Sequence, residues 1–275
     1  MQVSVDADQR LLAQIHPSSG NLIPGNPLMS ERSRTKLGLA IPTLNEAENM
    51  HPLLEGLSVA LSRVPIDYEL IVVDDDSSDG TAEVTRDYAK RDSRVRVFVR
   101  RGKRGLAGAV LYGWAQTDAN LLGVIDADLQ HPPQVLPKLL EPVMNGNDIA
   151  IASRYISSKD NGLNDWNKLR ALISRAGTLV TAPLQKKKNI NVKDPLSGFF
   201  VVRRECIEGL DLQPEGFKLL LDILVRGRIQ RPIEIPFHFG LRHAGKSKAD
   251  FKVAFAYLNL LGKLSRHALF KAGQR

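Results

Sequence analysis

Short runs of apolar residues alternate along this chain with stretches in which apolar positions recur every three or four residues, the pattern of strands followed by helices. Leu37-Gly38-Leu39-Ala40-Ile41 predicts a first strand, halted by Pro42-Thr43, and Leu53, Leu54, Leu57 and Leu61 then recur at helical spacing. Glu69-Leu70-Ile71-Val72-Val73 predicts a second strand. Val95-Arg96-Val97-Phe98-Val99 predicts a third, which its arginines place at a sheet edge. Leu121 to Ile125 is a fourth, Pro132 to Asn145 a helix, and Asp148-Ile149-Ala150-Ile151-Ala152 a fifth strand that runs into Ser153-Arg154-Tyr155. This alternation predicts an α/β protein on a doubly wound, mostly parallel sheet with helices on both faces.

The pattern is less regular further on. A polar loop spans Asn161 to Asp165, a helix with Arg170, Ser174 and Arg175 runs from Trp166 to about Ala182, and Gln185 to Lys193 is a basic connector. Asp194-Pro195-Leu196-Ser197-Gly198 reads as a turn entering the apolar strand Phe199-Phe200-Val201-Val202. A helix follows from Gly216 to Arg226, then an alternating strand from Ile233 to Phe239 and a glycine-hinged basic loop from Arg242 to Lys248. Phe251 to Lys271 is predicted to be a basic amphipathic helix, with a break point at Gly262. It suits a membrane interface or packing on the domain. The expected organisation is a loose arm over residues 1–36, one domain over 37–249 and a basic tail over 250–275.

Charge and cysteine content narrow the partners. The net charge is +8, and from Arg242 onward eight Lys/Arg stand against the single acid Asp250, so almost all of the excess lies in the last segment. Basic residues beside apolar ones suit an anionic membrane surface or a phosphorylated ligand. Aromatic residues make up only 6% and form no stacking platform, which argues against nucleic acid. One cysteine, Cys206, excludes an internal disulfide and a cysteine zinc cluster and fits a reducing compartment. No apolar run reaches the roughly 18 to 20 residues that a membrane span needs, and the first 36 residues lack the apolar core of a signal peptide.

Candidate chemistry lies at two predicted strand ends, where ligands of open α/β sheets bind. The fourth strand stops at Asp126-Ala127-Asp128-Leu129-Gln130-His131-Pro132-Pro133. Two carboxylates this close repel unless a cation lies between them, and with the carboxamide of Gln130 they offer hard oxygens suited to Mg²⁺ or Mn²⁺. Alone, the pair reads first as a solvated turn and helix cap, and the metal site only second. The second strand ends in Asp74-Asp75-Asp76-Ser77-Ser78-Asp79-Gly80-Thr81, a tight turn in which Asp79 or Ser78 can cap the next helix. It lacks the spaced ligands of a calcium loop. The basic, glycine-rich stretch Arg100 to Gly108 lacks the glycine spacing and the Ser/Thr of a phosphate-binding P-loop, and reads as a phosphate-facing or plain surface loop.

Six motifs occur in order: PTLNE from Pro42, DDDSSDGT from Asp74, DADLQHPP from Asp126, SRY from Ser153, DPLSGFF from Asp194 and RHAGKSK from Arg242. Together they resemble the dolichol-phosphate mannosyltransferase group of family 2 glycosyltransferases, which has the GT-A fold. The resemblance covers Leu37 to about Lys263. It implies a metal-dependent, inverting hexosyltransferase that moves a sugar, usually mannose from GDP-mannose, onto a polyprenyl phosphate at the cytoplasmic membrane face. It also leaves room for a membrane-protein partner. By position, Pro42, Leu44 and Glu46 would line the base pocket, and Val73 and Asp75 would hold the nucleoside. Asp126, Ala127, Asp128 and Gln130 would form the diphosphate and metal site, with Asp126, Asp128 and Gln130 as ligands. Arg154 would contact sugar and phosphate, so that Asp126, Asp128 and Arg154 carry the catalysis. Arg242 and Lys248 would clamp the donor phosphates, and Arg170 and Ser174, four apart on one helix, would hold the acceptor phosphate. The sequence departs from the family at Leu44, commonly tyrosine, and at Asp76, often glycine or asparagine. A soluble family 2 enzyme with a hydroxyl acceptor would share the same donor site but would need a general base.

Overall fold

The computed structural model describes residues 35–102, 104–154, 190–212, 219–238 and 240. Its strands are β1 (Lys36–Thr43), β2 (Asp67–Asp74), β3 (Val95–Val99), β4 (Leu121–Val124), β5 (Ile149–Ser153), β6 (Phe200–Arg203) and β7 (Pro232–Pro236). Its helices are α1 (Ala47–Leu61), α2 (Thr81–Ala89), α3 (Leu106–Ala115), α4 (Leu136–Met144) and α5 (Leu219–Arg226). The described strands form one sheet in the order β3-β2-β1-β4-β6-β5-β7. Pairing is parallel except at β6, which runs antiparallel to both β4 and β5.

Strand β1 shows why helices cover both faces. Leu37, Leu39 and Ile41 enter one core with Leu53, Leu54, Leu57 and Leu61 of α1 and Leu136, Leu139 and Leu140 of α4. Ala40 points the other way, into a core with Ala107, Val110 and Trp114 of α3 and Leu219, Leu220 and Ile223 of α5. A strand buried on both faces reads as a continuous apolar run, and this one does. On the second face α3 comes close: a Cβ added to Gly113 would stand 3.1 Å from Val73 and 3.3 Å from Ala40.

Several boundaries differ from expectation. Pro42 does not halt β1, because its missing N–H falls on the β4 side beyond the last ladder bond, Ile125 N–H to the Ala40 carbonyl at 3.2 Å, so no pairing is lost. The helix expected from Pro132 begins later, as a 3₁₀ turn at Pro133–Val135 and then α4. Pro132 is extended, as the residue before a proline prefers. Strand β7 starts at Pro232 and ends at Pro236, shorter than the Ile233 to Phe239 run. The sheet already includes Lys36, paired with Asp67, so the domain reaches one residue into the arm's expected range. The edge position of β3 agrees with its arginines.

The antiparallel course of β6 is the unexpected feature with most consequence. Val124 pairs with Phe200 and Ile151 pairs with Phe200, so the start of β6 lies beside the ends of β4 and β5. The turn from Asp194 to Phe199 is thereby delivered to the sheet end where the acid motifs stand. Residues 1–34, the helix bearing Arg170 and Ser174, the clamp residues Arg242 and Lys248, and the tail with its amphipathic helix lie outside the described residues. Among the described residues no helix is long and apolar enough to cross a membrane.

Cys206 closes the 3₁₀ turn after β6 and is 5% exposed. Burial, reinforced by the nearby carboxylates Asp148 and Glu205, pushes its thiol up to about 11 from 9.0. At pH 8 only about one native molecule in a thousand then carries a thiolate. Reaction of the native protein with a chromogenic disulfide reagent at pH 8 is expected to be at least about tenfold slower than that of the denatured chain. Equal rates would show that the thiol is open to solvent. Because the unfolded thiol ionises first, this group also costs the native state stability as pH rises from 9 to 11.

Candidate active site

The loops after β1 and β2 are sewn together by short polar side chains. Asp74, 1% exposed, accepts from Thr43 Oγ1 at 3.0 Å, Ser77 N–H at 2.9 Å and Ser77 Oγ. Asn45 N–H donates to Ser77 Oγ at 2.8 Å, and Ser78 N–H donates to Asn45 Oδ1 at 3.0 Å. Asp79 caps two helices at once, accepting Thr81 N–H on one oxygen and Ala47 N–H on the other, both at 3.0 Å. Burial alone would raise the Asp79 carboxyl, but the Thr81 hydroxyl and these N–H donors hold it below the ordinary carboxylate range. Asp74 and Asp79 are therefore spent on turn chemistry.

Asp75 does something else. Arg100 grips it with Nε to Oδ1 at 2.8 Å and Nη2 to Oδ2 at 2.9 Å, and Gly105 N–H adds a bond to Oδ2 at 2.8 Å. The pair is nearly dry, with the two side chains 13% and 6% exposed. Of the roughly four acceptor positions on a carboxylate, three are used. Asp75 thus ties the start of the basic loop to β2 and keeps about one acceptor position. Pro42 is the penultimate residue of β1, and Leu44 and Glu46 follow the strand, Glu46 accepting from Asn49 Nδ2 at 2.7 Å. The side chain of Val73 is fully buried under Ala109 of α3, which leaves only its backbone to a ligand.

The acid loop follows β4. Asp126 is 30% exposed at its side chain and Asp128 is 8% exposed overall. Gln130 N–H donates to Asp128 Oδ1 at 3.1 Å, a turn made by Leu129 in the left-handed region at φ 60°. That conformation costs a leucine about 1 kcal/mol or more, and strain of this kind gathers at functional sites. Ala127 is buried beneath the loop. His131, 4% exposed, lies behind it, with Nδ1 3.7 Å from Asp126 Oδ2 and its ring against Phe199 and Phe237. Burial pushes this imidazole down to about 4, against the pull of Asp128, so it stands neutral at pH 7.

Arg154 follows β5. Its Nε and Nη2 each reach the fully buried carboxylate of Asp194 at 2.8 Å, and its N–H adds a bond at 3.2 Å. Asp194 opens the turn that β6 delivers, and the same turn meets the acid loop. Ser197 Oγ donates to the Ala152 carbonyl at 2.7 Å, and Gly198 lies so close to Asp126 that an added Cβ would be 2.9 Å from its carboxyl carbon. Beyond β7, Gly240 N–H donates to the Gln130 carbonyl at 2.9 Å, two residues before Arg242.

Asp126, Asp128, Gln130 and Arg154 are thus gathered at one sheet end, with Pro42 near the end of β1 and Leu44, Glu46 and Asp75 on the adjoining loops. Arg170, Ser174, Arg242 and Lys248 lie outside the described residues. Sequence reasoning passed over Arg100, His131, Asp194 and Gly198. Three of them stood inside quoted motifs, His131 in DADLQHPP and Asp194 and Gly198 in DPLSGFF, but nothing in the chain order says that the second motif touches the acid loop. A separate cavity of about 240 Å³, lined by Leu111, Trp114, Leu210 and Leu212, sits by the opposite ends of β4 and β6.

Residues 39–210 match the family described as Glycosyl transferase family 2. The chain is 41% identical over 231 residues to a dolichol-phosphate mannosyltransferase of Pyrococcus furiosus, covering 84% of this chain and 64% of that protein. Against the dolichol-phosphate mannosyltransferase of Saccharomyces cerevisiae it is 35% identical, covering 82% and 85%. Against that of Mycosarcoma maydis it is 34% identical, covering 88% and 83%. Among solved structures, mannosyl-3-phosphoglycerate synthase from Rubrobacter xylanophilus superposes with a TM-score of 0.62 at 20% identity, covering 89% of this chain and 77% of that one. Glucosyl-3-phosphoglycerate synthase from Mycobacterium tuberculosis, in complex with Mn²⁺, UDP-glucose and phosphoglyceric acid, gives 0.61 at 22% identity, covering 84% and 80%. These two share the fold.

Proposed function

We propose, for a chain that belongs to glycosyl transferase family 2, that it transfers mannose from GDP-mannose to a dolichyl or related polyprenyl phosphate. The observation that carries this reading is the convergence of the acid loop and the Asp194-held Arg154 at one sheet end, in a chain whose curated relatives are dolichol-phosphate mannosyltransferases.

A divalent cation fits the donor set. Asp126, Asp128 and Gln130 present hard oxygens on one tight loop. Among the described residues no three His, Cys, Asp or Glu side chains form a metal cage, and the third donor in this reading is the carboxamide of Gln130. Mg²⁺ or Mn²⁺ held there supplies positive charge to the leaving nucleoside diphosphate.

The chain's own residues do the rest. Asp126 and Asp128 would hold the cation that faces the donor's diphosphate, and Arg154 sets a guanidinium against the charge that grows as the sugar–phosphate bond breaks. Arg242 and Lys248 add to that clamp, while Arg170 and Ser174 hold the acceptor phosphate. The acceptor oxygen is already anionic, so it attacks the anomeric carbon from the opposite face without a general base. The new bond forms as the bond to GDP breaks, and the configuration inverts. With a lipid substrate the enzyme would work at a membrane surface, the cytoplasmic face in this reading, and the basic residues within 250–275 would favour anionic headgroups.

The test is transfer from radiolabelled GDP-mannose, UDP-glucose and UDP-N-acetylglucosamine to a short polyprenyl phosphate, with Mg²⁺, with Mn²⁺ and with EDTA. Lipid product from GDP-mannose alone, reduced at least about a hundredfold by EDTA, is the expected result. Product only with a sugar hydroxyl acceptor would replace the lipid acceptor by the hydroxyl one.

A further inference from the structure

We infer that Glu234, on the edge strand β7, is a positioning residue for Arg154. The inference rests on the reading of Arg154 as a donor-phosphate contact. Glu234 faces Ile151 of β5 in register, three residues before Arg154. Its carboxylate does not meet Arg154. Instead Oε2 accepts the Lys193 N–H and Oε1 accepts the Asp194 N–H, each at 2.9 Å. These two bonds fix the backbone from which the buried Asp194 carboxylate projects, and that carboxylate grips Arg154 through two bonds of 2.8 Å and a third to its N–H.

The chemistry of the link is specific. A carboxylate taking two adjacent N–H donors is a charge-assisted, two-pronged clamp, stiffer than one neutral bond. Glutamine has nearly the same shape but one acceptor oxygen, so Glu234→Gln turns an NH₂ group towards an N–H donor and opens one prong. The Asp194 backbone then shifts, and a guanidinium held by Asp194 shifts with it. Small misplacements of this kind cost roughly tenfold or more in affinity or rate when the displaced group must meet a ligand charge. The alternative is that Glu234 only ties β7 to the turn and matters for folding.

The two readings separate in a double-mutant cycle on the full chain, with GDP binding in Mn²⁺ by calorimetry and mannosyl transfer as readouts. Glu234→Gln in the wild-type background is expected to weaken GDP binding and to lower transfer, each by roughly tenfold. In an Arg154→Ala background the same change is expected to cost less than about twofold. Equal losses in both backgrounds, with equal falls in melting temperature, would overturn the inference and leave Glu234 a folding residue. Unchanged GDP binding in Glu234→Gln would overturn it too. Absence of wild-type transfer to polyprenyl phosphate would instead strike the proposed function, and the binding cycle would still report whether Glu234 acts through Arg154.

Discussion

Replacing Asp128 by alanine is expected to lower lipid-product formation by at least about a thousandfold, the scale on which loss of a charge-stabilising group at a leaving oxyanion is felt. Asp128 has two jobs, and the variants separate them. Its Oδ1 accepts the Gln130 N–H and so shapes the loop, a bond worth about 1 kcal/mol. Its negative charge is what would hold a divalent cation. Asp128→Asn keeps an acceptor for the Gln130 N–H and removes the charge. If the charge carries the function, the asparagine variant loses about as much transfer as the alanine variant while its melting temperature stays near wild type. Near-normal transfer by Asp128→Asn would make this aspartate a turn-former and require the metal ligands to be sought elsewhere.

The second large effect comes from a methyl group. Gly198 lies against Asp126, and an added Cβ would stand 2.9 Å from the Asp126 carboxyl carbon and 3.0 Å from its Oδ1. The backbone there is of ordinary hand, so alanine fits the chain but not the space. Asp126 must yield, since the turn is fixed by Ser197 Oγ to the Ala152 carbonyl and by Ala152 N–H to the Phe199 carbonyl at 2.9 Å. Gly198→Ala is expected to reduce transfer by roughly a hundredfold, with a stability cost of about 1 to 3 kcal/mol from overpacking. Steady-state kinetics against Mn²⁺ concentration, beside thermal unfolding, would check it. A fall in stability with wild-type turnover would show that the Asp126 carboxylate need not stand where it does.

The strands and the acid clusters that end them were legible because their signals are local. Runs such as Leu70-Ile71-Val72-Val73 bury both faces and read as central strands, and the acids that end them fall where a parallel sheet exposes its carboxyl ends. Even the departure at Asp76 has a local cause: this residue sits at φ 59°, a conformation suited to glycine or asparagine and tolerated by aspartate. The contacts around the site were less legible because their signals are not local. Phe200-Val201-Val202 announces a strand but not its direction, and only the antiparallel pairing brings Gly198 to Asp126 and Asp194 to Arg154. The bond from Asp75 to Arg100 spans 25 positions and that from Asp194 to Glu234 spans 40, and no periodicity encodes such partners.

Arg154 and Asp194 stand 40 positions apart and are joined by one two-pronged ion pair. The ion pair thus closes a loop of chain between the end of β5 and the turn before β6. Closing a loop of chain costs entropy that grows only with the logarithm of its length, about 0.6 kcal/mol for each doubling. Lengthening or shortening the chain between the two residues is therefore expected to change stability by less than about 1 kcal/mol, so long as the arginine and the aspartate keep hold of each other.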